Sequence, residues 1–320
     1  MLARRLKSGD TLGVVASSSP VTPETDDQFE RGVAYLEGLG FEVVAGEHVR
    51  SRTLGYSASP EEKAADVNAM FADCSIAGII CAQGGTTANA CLPRLSWPTI
   101  RANPKVFMGL SDITVLLNAI YAATGLVTFH GNDLLWGFGR NPTDYDRNAI
   151  LQTLTEGRLR AVDPNGKRQT IRGGDGEGIA LGGNLRCLLK LAGTPFLPRT
   201  AGAILFLEAV DVTSETCDCM VRQLEQMGVF EVLHGVVIGH VDGLQANAGA
   251  MQLEQVLRAV TAPHDFPILK VDDFGHNCPN AVLPIGARVR VDADRQTIEQ
   301  VEPFIDELRL PEHPRSASGH

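Results

Sequence analysis

Short runs of apolar and β-branched residues alternate with segments of helical periodicity along the first 130 residues of the chain. The apolar runs cover 11–16, 41–46, 76–82 and 105–109, and the segments with helical spacing cover 24–40, 60–73, 87–95 and 112–124. This alternation predicts a parallel sheet flanked by helices, of the Rossmann-like or flavodoxin-like kind. In such sheets ligands bind beyond the carboxyl ends of the strands, where loops lead into helices.

The pattern changes after residue 145. We assign residues 146–177 to a linker and mobile loop, because the stretch "DPNGKRQTIRGGDGE" in it is rich in glycine and charge. We therefore expect an N-terminal α/β domain at 1–145, a C-terminal domain at 178–308 and a loose polar tail at 309–320.

The C-terminal domain is predicted to be a mixed, β-rich α/β domain. We expect a turn and a helix at 178–193, strands at 201–210, 235–241, 266–271, 281–293 and 297–302, and helices at 214–228 and 250–261. The strands from 266 onwards are assigned to one mixed sheet of this domain.

The net charge and the cysteines indicate which class of partner and which compartment to expect. The chain has 320 residues, a formal net charge of -10 and no block of basic residues, which argues against nucleic-acid and anionic-membrane partners and favours a small-molecule substrate. No apolar run approaches the ~18 residues of a membrane span, and "LGVVA" is too short for the core of a signal peptide. Seven cysteines, an odd number scattered partly within apolar runs, indicate a reducing compartment, and we expect the cytoplasm.

Ser111 stands where the apolar run 105–109 ends and a helical pattern begins, in "GLSD". One interpretation is that it caps the helix by accepting a backbone N–H bond. The other is that a tight strand-to-helix turn exposes its hydroxyl as a nucleophile, beside the positive end of the helix dipole. The motif lacks the second glycine of the G-x-S-x-G elbow, so both interpretations stay open at this point.

The loop "QGGTTAN" contains the adjacent glycines Gly84 and Gly85. It matches neither G-x-G-x-x-G nor a P-loop, although it could still hold a phosphate. Adjacent glycines also let a backbone approach a ligand closely and present N–H donors, and a plain turn is an equal alternative.

Two further candidates lie at strand ends in the C-terminal half. Glu208 closes the apolar run "AILFLE", and His276 follows a glycine in "FGHNCP". Asp272, Asp273 and His276 could in principle ligate a metal, but no second histidine or cysteine stands at suitable spacing, so we predict no metal site. For His130 and His240, at the ends of other apolar runs, a hydrogen-bonded structural histidine is the default expectation.

The motifs, taken in order, resemble those of the serine peptidase family of L,D-carboxypeptidases, which includes the microcin C self-immunity proteins. The resemblance runs from about residue 6 to residue 305 and is carried by "QGGTTANACLPRL", "NPKVFMGLSDITVLLNAI", "LGGNL", "ILFLE" and "FGHNCPNAVLPIGARV". It implies a Ser-His-Glu triad, with Ser111 as the nucleophile, His276 as the general base and Glu208 as the orienting carboxylate. Whether Ser111 caps its helix as well stays open. The resemblance further implies an oxyanion hole from the backbone N–H groups of Asp112 and Gly85, next to Gly84, and no cofactor.

The resemblance implies hydrolysis of the amide between an L-centre of a diamino acid and a terminal D-alanine in muropeptide tetrapeptides. The triad would lie in a groove between the two domains. A peptide or muropeptide is thus the expected partner, and homodimerisation is left open.

Several departures from the family pattern put the substrate, rather than the triad, in question. Gln83 and Thr86 flank the glycine pair where an arginine and an aromatic are common, and Ala209 follows Glu208. A peptidyl- or aminoacyl-nucleotide substrate is therefore an alternative, although residues 165–178 contain no tryptophan or tyrosine to stack on a base.

An alternative of another class is a non-catalytic module that binds a phosphorylated ligand. It would leave the matched serine, glutamate and histidine unexplained. For the residue that binds a substrate carboxylate, Arg52, Arg94 and Arg186 are equal candidates.

Overall fold

The computed structural model describes residues 1–247 and 249–306 and contains two sheets with helices packed against them. The strands are β1 Thr11–Val15, β2 Glu42–Ala45, β3 Ile76–Cys81, β4 Val106–Gly109, β5 Thr128–His130, β6 Gln169–Arg172, β7 Asp175–Asn184, β8 Ala203–Ala209, β9 Gly235–Val241, β10 Ile268–Lys270, β11 Leu283–Ile285, β12 Arg288–Asp292 and β13 Thr297–Gln300. The α-helices are α1 Asp26–Gly38, α2 Pro60–Ala72, α3 Trp97–Ala102, α4 Thr114–Thr124, α5 Asp144–Ile150, α6 Leu185–Leu189, α7 Ser214–Gln226 and α8 Leu253–Val260. The predicted fold class is confirmed.

The first sheet has the strand order β11-β5-β4-β3-β1-β2. Strands β1 to β5 pair in parallel, and every residue of β3 is buried. A parallel strand covered on both faces needs an apolar residue at every position, which explains why "IAGIIC" lacks alternation. Local signals also set the helix starts: at α2, Ser59 and Glu62 form a reciprocal capping box and Pro60 occupies the first turn.

The second sheet has the order β13-β12-β7-β8-β9-β10-β6. Its central strand β8 is buried throughout and ends near Glu208. Residues 178–184, at the start of the segment predicted as a turn and a helix, instead form the C-terminal part of β7. Its glycines serve close packing: a Cβ on Gly182 would lie 2.1 Å from the carbonyl oxygen of Phe206, and one on Gly183 would lie 2.5 Å from Oγ1 of Thr114.

Two features join the halves of the chain: a strand of the C-terminal half that pairs within the first sheet, and hydrogen bonds made by side chains. Strand β11 lies in the first sheet, antiparallel to β5, so the prediction that residues 283–285 belong to the C-terminal sheet is wrong. The Asn118 side chain on α4 accepts a bond from the N–H of Gly182 and donates one to its carbonyl, at 3.0 and 2.8 Å. The N-terminal domain is therefore completed by the C-terminal half.

The segment predicted as a linker holds regular structure. Its helical part is α5 followed by a π-helical turn at Leu151–Glu156, and β6 pairs antiparallel with β10. The domain bounds themselves stay a prediction, and the predicted tail at 309–320 lies outside the described residues. Among the described residues, no helix is long and apolar enough to cross a bilayer.

Candidate active site

Ser111 follows β4 and begins a 3-10 turn, Ser111–Ile113, that leads into α4. Its φ of 64° lies in the left-handed region, which costs an L-residue about 1–3 kcal/mol and is concentrated at functional sites. Leu110 stands at the N-cap of the turn, and no side chain caps either the turn or α4. The capping interpretation of Ser111 is therefore wrong, and the strained backbone resembles a nucleophile elbow.

The glycine pair lies directly beside this serine. A Cβ on Gly84 would lie 2.6 Å from Cβ and 2.8 Å from Oγ of Ser111, and 3.3 Å from the backbone nitrogen of Asp112. Gly85 has a φ of 144°, and a Cβ there would lie 2.3 Å from Oγ of Ser19. Both positions exclude larger residues, and Gly84 is the member of the pair that closely approaches Ser111.

The Asp112 carboxylate is fully buried and accepts hydrogen bonds from three separate segments of the chain. It accepts hydrogen bonds from the hydroxyl of Ser18 at 2.6 Å, from the backbone N–H of Ala88 at 2.8 Å and from the ammonium of Lys190. Burial acts to raise the pKa of Asp112, but these donors outweigh burial and lower the pKa. Lys190 also donates to the carbonyl of Thr86 at 3.0 Å, so one cation from the C-terminal half holds both the glycine loop and the residue after Ser111.

His276 and Glu208 form a hydrogen-bonded pair. Nδ1 of His276 lies 2.7 Å from Oε2 of Glu208, whose side chain is fully buried. Burial acts to lower the pKa of His276, but the charge and hydrogen bond of Glu208 outweigh it and raise the pKa above its usual value. Burial likewise acts to raise the pKa of Glu208. The charge and the hydrogen bond of His276 outweigh burial, so the pKa of Glu208 lies below its usual value. The carboxylate therefore stays charged and favours the imidazolium form.

His130, at the end of β5, is a buried histidine near this pair. Burial lowers its pKa to about 4, and its ring meets Phe274 edge to face at 5.7 Å. Neither ring nitrogen has a partner among the described residues, so the expectation of a hydrogen-bonded structural histidine is wrong here. The same expectation is confirmed for His240, whose Nδ1 lies 3.3 Å from Oδ1 of Asp272.

Ser111 and His276 line the same cavity of about 850 Å³. Its walls also include Gln83, Gly84, Gly85, Asp133, Trp136 and Arg140. Trp136 is nearly half exposed, its Nε1 donates to Oε1 of Gln83 at 2.9 Å, and the guanidinium of Arg140 lies 5.9 Å from its ring centroid. Sequence reasoning did not identify Trp136, Arg140 or Lys190, because no local motif marks them.

Asp133 is a second acidic group at the cavity. Its side chain accepts hydrogen bonds from the backbone N–H groups of Trp136 and Gly137, at 2.8 and 3.1 Å. Burial raises its pKa to about 6. Its charge contributes to the raised pKa of His276.

The three arginines considered for carboxylate binding lie away from this cavity. Arg52 donates to the carbonyl of Gly55, Arg94 pairs with Glu61, and Arg186 donates to the carbonyl of Asp211. None of the three lines the cavity, which corrects that expectation.

The residues considered as metal ligands have separate partners. Asp272 binds His240, Gln245 and Lys270, whereas Asp273 forms an ion pair with Arg168 at 2.8 Å. His276 is bonded to Glu208. Over residues 1–247 and 249–306, no group of three histidine, cysteine, aspartate or glutamate side chains could hold a metal ion.

Comparison with known proteins identifies the family. The model of the LD-carboxypeptidase N-terminal domain matches residues 12–131, and that of the LD-carboxypeptidase C-terminal domain matches residues 177–291. The chain is 30% identical to the probable murein peptide carboxypeptidase of Bacillus subtilis, over 92% of each protein. It is 29% identical to the microcin C7 self-immunity protein MccF of Escherichia coli, over 95% of this chain and 97% of that one.

Among solved structures, MccF in complex with glutamyl sulfamoyl guanosine has a TM-score of 0.89 at 28% identity, covering 95% of this chain and 99% of that one. The two family models fall on the two halves of the chain that supply Ser111 and the Glu208–His276 pair. The chain therefore belongs to the LD-carboxypeptidase family, and it is a hydrolase at that level of description.

Proposed function

We propose that the protein is a serine-type L,D-carboxypeptidase that removes the terminal D-alanine from muropeptide tetrapeptides. The observation that carries this proposal is the 2.7 Å bond between His276 and Glu208, made by a histidine that shares its cavity with Ser111. A serine hydroxyl is a poor nucleophile at neutral pH and needs an imidazole to take its proton. A carboxylate on the other ring nitrogen fixes the tautomer and stabilises the imidazolium.

In this proposal Oγ of Ser111 attacks the carbonyl carbon of the amide while Nε2 of His276 takes the hydroxyl proton. The negative charge that develops on the carbonyl oxygen is stabilised by backbone N–H groups of Asp112 and the Gly84–Gly85 pair. The C–N bond then breaks, and His276 passes its proton to the amine of the departing D-alanine. Water hydrolyses the acyl-enzyme by the same proton route.

The contacts of Gly84 and Asp112 support this oxyanion site. The Cβ position of Gly84 lies 3.3 Å from the nitrogen of Asp112, so the glycine loop and the start of the helical turn face each other across Ser111. Lys190 holds both sides through Asp112 and the carbonyl of Thr86. Donors fixed in advance lose little energy to reorganisation when the charge develops.

A second candidate is hydrolysis of an aminoacyl- or peptidyl-nucleotide amide. The half-exposed ring of Trp136 in the cavity favours it, because such a ring can stack on a base. The resemblance to MccF, solved with glutamyl sulfamoyl guanosine, is consistent with it. This aromatic comes from the π-helical turn at Leu134–Phe138 rather than from the loop at 165–178, which contains no tryptophan or tyrosine.

Parallel assays of the two substrate classes separate the two candidates. The protein is incubated with L,D- and D,D-linked tetrapeptide and pentapeptide muropeptides and, separately, with glutamyl sulfamoyl guanosine. Mass spectrometry then follows release of D-alanine or of glutamate. Release of D-alanine from the L,D-linked tetrapeptide alone supports the carboxypeptidase, whereas release of glutamate alone supports the second candidate.

Compartment and assembly remain proposals. All seven cysteines are unpaired, which supports the cytoplasm as the proposed compartment. A homodimer is the assembly to test by size-exclusion chromatography with light scattering.

A further inference from the structure

We propose that Arg140 binds the terminal carboxylate of the substrate and so restricts cleavage to the last amide of a peptide. This inference rests on the proposed function and names a specificity-determining residue for it. Among the described residues that line the cavity, Arg140 is the one arginine or lysine. Its guanidinium forms no ion pair with a carboxylate in the described part of the chain, so its charge is free to meet a ligand.

Two contacts hold the guanidinium in place, and the Trp136 ring that makes one of them is itself fixed. It lies 5.9 Å from the ring centroid of Trp136, within the range of a cation–π interaction. Nη1 donates to Oδ1 of Asn277 at 3.1 Å. The ring itself is held by Gln83, whose Oε1 accepts from Nε1 of Trp136 and whose Nε2 donates to the carbonyl of Pro20. Such preorganisation reduces the entropy lost when a ligand binds.

The position of Arg140 relative to His276 decides which part of the substrate it meets. His276 must lie next to the leaving nitrogen, because it donates the proton to that atom. Asn277, which contacts Arg140, directly follows His276 in the chain. In a terminal amino acid only one carbon separates the leaving nitrogen from the carboxylate. Because Arg140 contacts the residue after the general acid and lines the same cavity, we assign its charge to the side where this carboxylate is placed.

The chemistry of the side chain fits the same ligand. A guanidinium presents several N–H donors in a planar fork, which pairs with two carboxylate oxygens at once. Only one of its donors is engaged with Asn277, so the others can reach a ligand. Asp133 and Asp146 also line the cavity, and their carboxylates repel a second anion placed away from Arg140. Arg140 thus supplies the one arginine or lysine charge with which the described cavity lining can bind a carboxylate.

The test compares two tetrapeptides that differ only at the end, one with a free D-alanine carboxylate and one with D-alaninamide. The value of kcat/KM is measured for the parent, Arg140→Gln, Arg140→Lys and the control Arg52→Gln, which removes an exposed arginine outside the cavity. We expect the parent to prefer the free acid by about 10- to 100-fold, as for one charged hydrogen-bonded contact. Arg140→Gln should cleave the two peptides equally well, Arg140→Lys should be intermediate, and Arg52→Gln should match the parent.

A binding experiment separates failure of this inference from failure of the proposed function. Ser111→Ala and the double variant Ser111→Ala/Arg140→Gln are titrated with both peptides by calorimetry, so no hydrolysis is needed. Tighter binding of the acid that disappears in the double variant supports Arg140 even if the parent proves inactive on muropeptides. A preference for the acid that survives Arg140→Gln, or the lack of any preference in Ser111→Ala, would overturn the assignment.

Discussion

The ammonium of Lys190 donates a hydrogen bond to the carboxylate of Asp112, although the two residues lie in different halves of the chain. Asp112 directly follows Ser111, and Lys190 follows α6 in the C-terminal half. The buried carboxylate has no other cationic partner among the described residues. The position of the proposed nucleophile and oxyanion donor therefore depends on how the two halves pack.

This relationship predicts that Lys190→Met lowers kcat at least tenfold while KM changes little. The buried charge of Asp112 would lose a donor, which costs about 1–3 kcal/mol, and the N–H next to Ser111 would shift. Lys190→Arg retains the charge and is expected to recover most of the activity. Steady-state kinetics and thermal unfolding of both variants measure the effect, and a Met variant with the parent's kcat would contradict it.

Gly84→Ala is expected to lower kcat/KM by about 100-fold, because a displacement of ~1 Å at the reacting atoms has that effect. The added Cβ would lie 2.6 Å from Cβ of Ser111, so the serine must move. Gly38→Ala is the matched control, since no atom lies within 4 Å of its added Cβ. Kinetics are compared after circular dichroism shows that both variants fold; equal activities would exclude the close approach of Gly84 as a requirement.

The raised pKa of His276 predicts the pH dependence of the reaction. A general base must be neutral, so kcat/KM should fall as the pH drops through a midpoint above 6.5, the usual histidine value. Glu208→Gln removes the largest cause of the raised pKa and should move this midpoint to lower pH. It should also lower kcat by about 10⁴-fold, as the equivalent change does in a serine protease triad.

The pH profile of the Gln variant is the measurement that checks this expectation. Asp133 and Asp242 also raise the pKa of His276, so the midpoint should shift without falling to that of a buried, isolated imidazole. An unshifted midpoint together with an unaltered kcat would remove Glu208 from the site.

His130 should remain neutral over the whole working range, because burial lowers its pKa to about 4. Its ring proton signals in NMR are therefore expected to stay constant between about pH 5.5 and 8, whereas those of His276 titrate. His130→Phe assigns the signals and keeps the ring contact with Phe274. A titration of His130 near neutral pH would show that its ring is charged in the folded protein.

The three proposed triad residues were accessible from the sequence because each stands near a strand end with a local signature. Ser111 and Glu208 follow or close runs of buried residues that the apolar pattern marks clearly. Family motifs then supplied the roles. The strained φ of Ser111, in contrast, follows from the turn geometry and could not be inferred from the residue type.

Other features depend on contacts between distant parts of the chain. Strand β11 was predicted as a strand, but its partner β5 lies more than 100 residues earlier in the chain. No local sequence pattern indicates such a pairing. The glycines at 182 and 183 suggested a turn, whereas they allow close packing within β7. Trp136, Arg140 and Lys190 reach the site only through such packing, so the sequence pattern did not distinguish them from surface residues.

The central claim is that Ser111 acts as the nucleophile, and mass spectrometry of the protein during turnover tests it most directly. The parent and Ser111→Ala are mixed with the L,D-linked tetrapeptide, quenched with acid and analysed intact and after digestion. The account predicts release of D-alanine by the parent, with the acyl group carried on the peptide that contains Ser111. It predicts at least a 10⁴-fold slower release by Ser111→Ala and an unchanged circular dichroism spectrum for this variant. Release by Ser111→Ala within tenfold of the parent would contradict it.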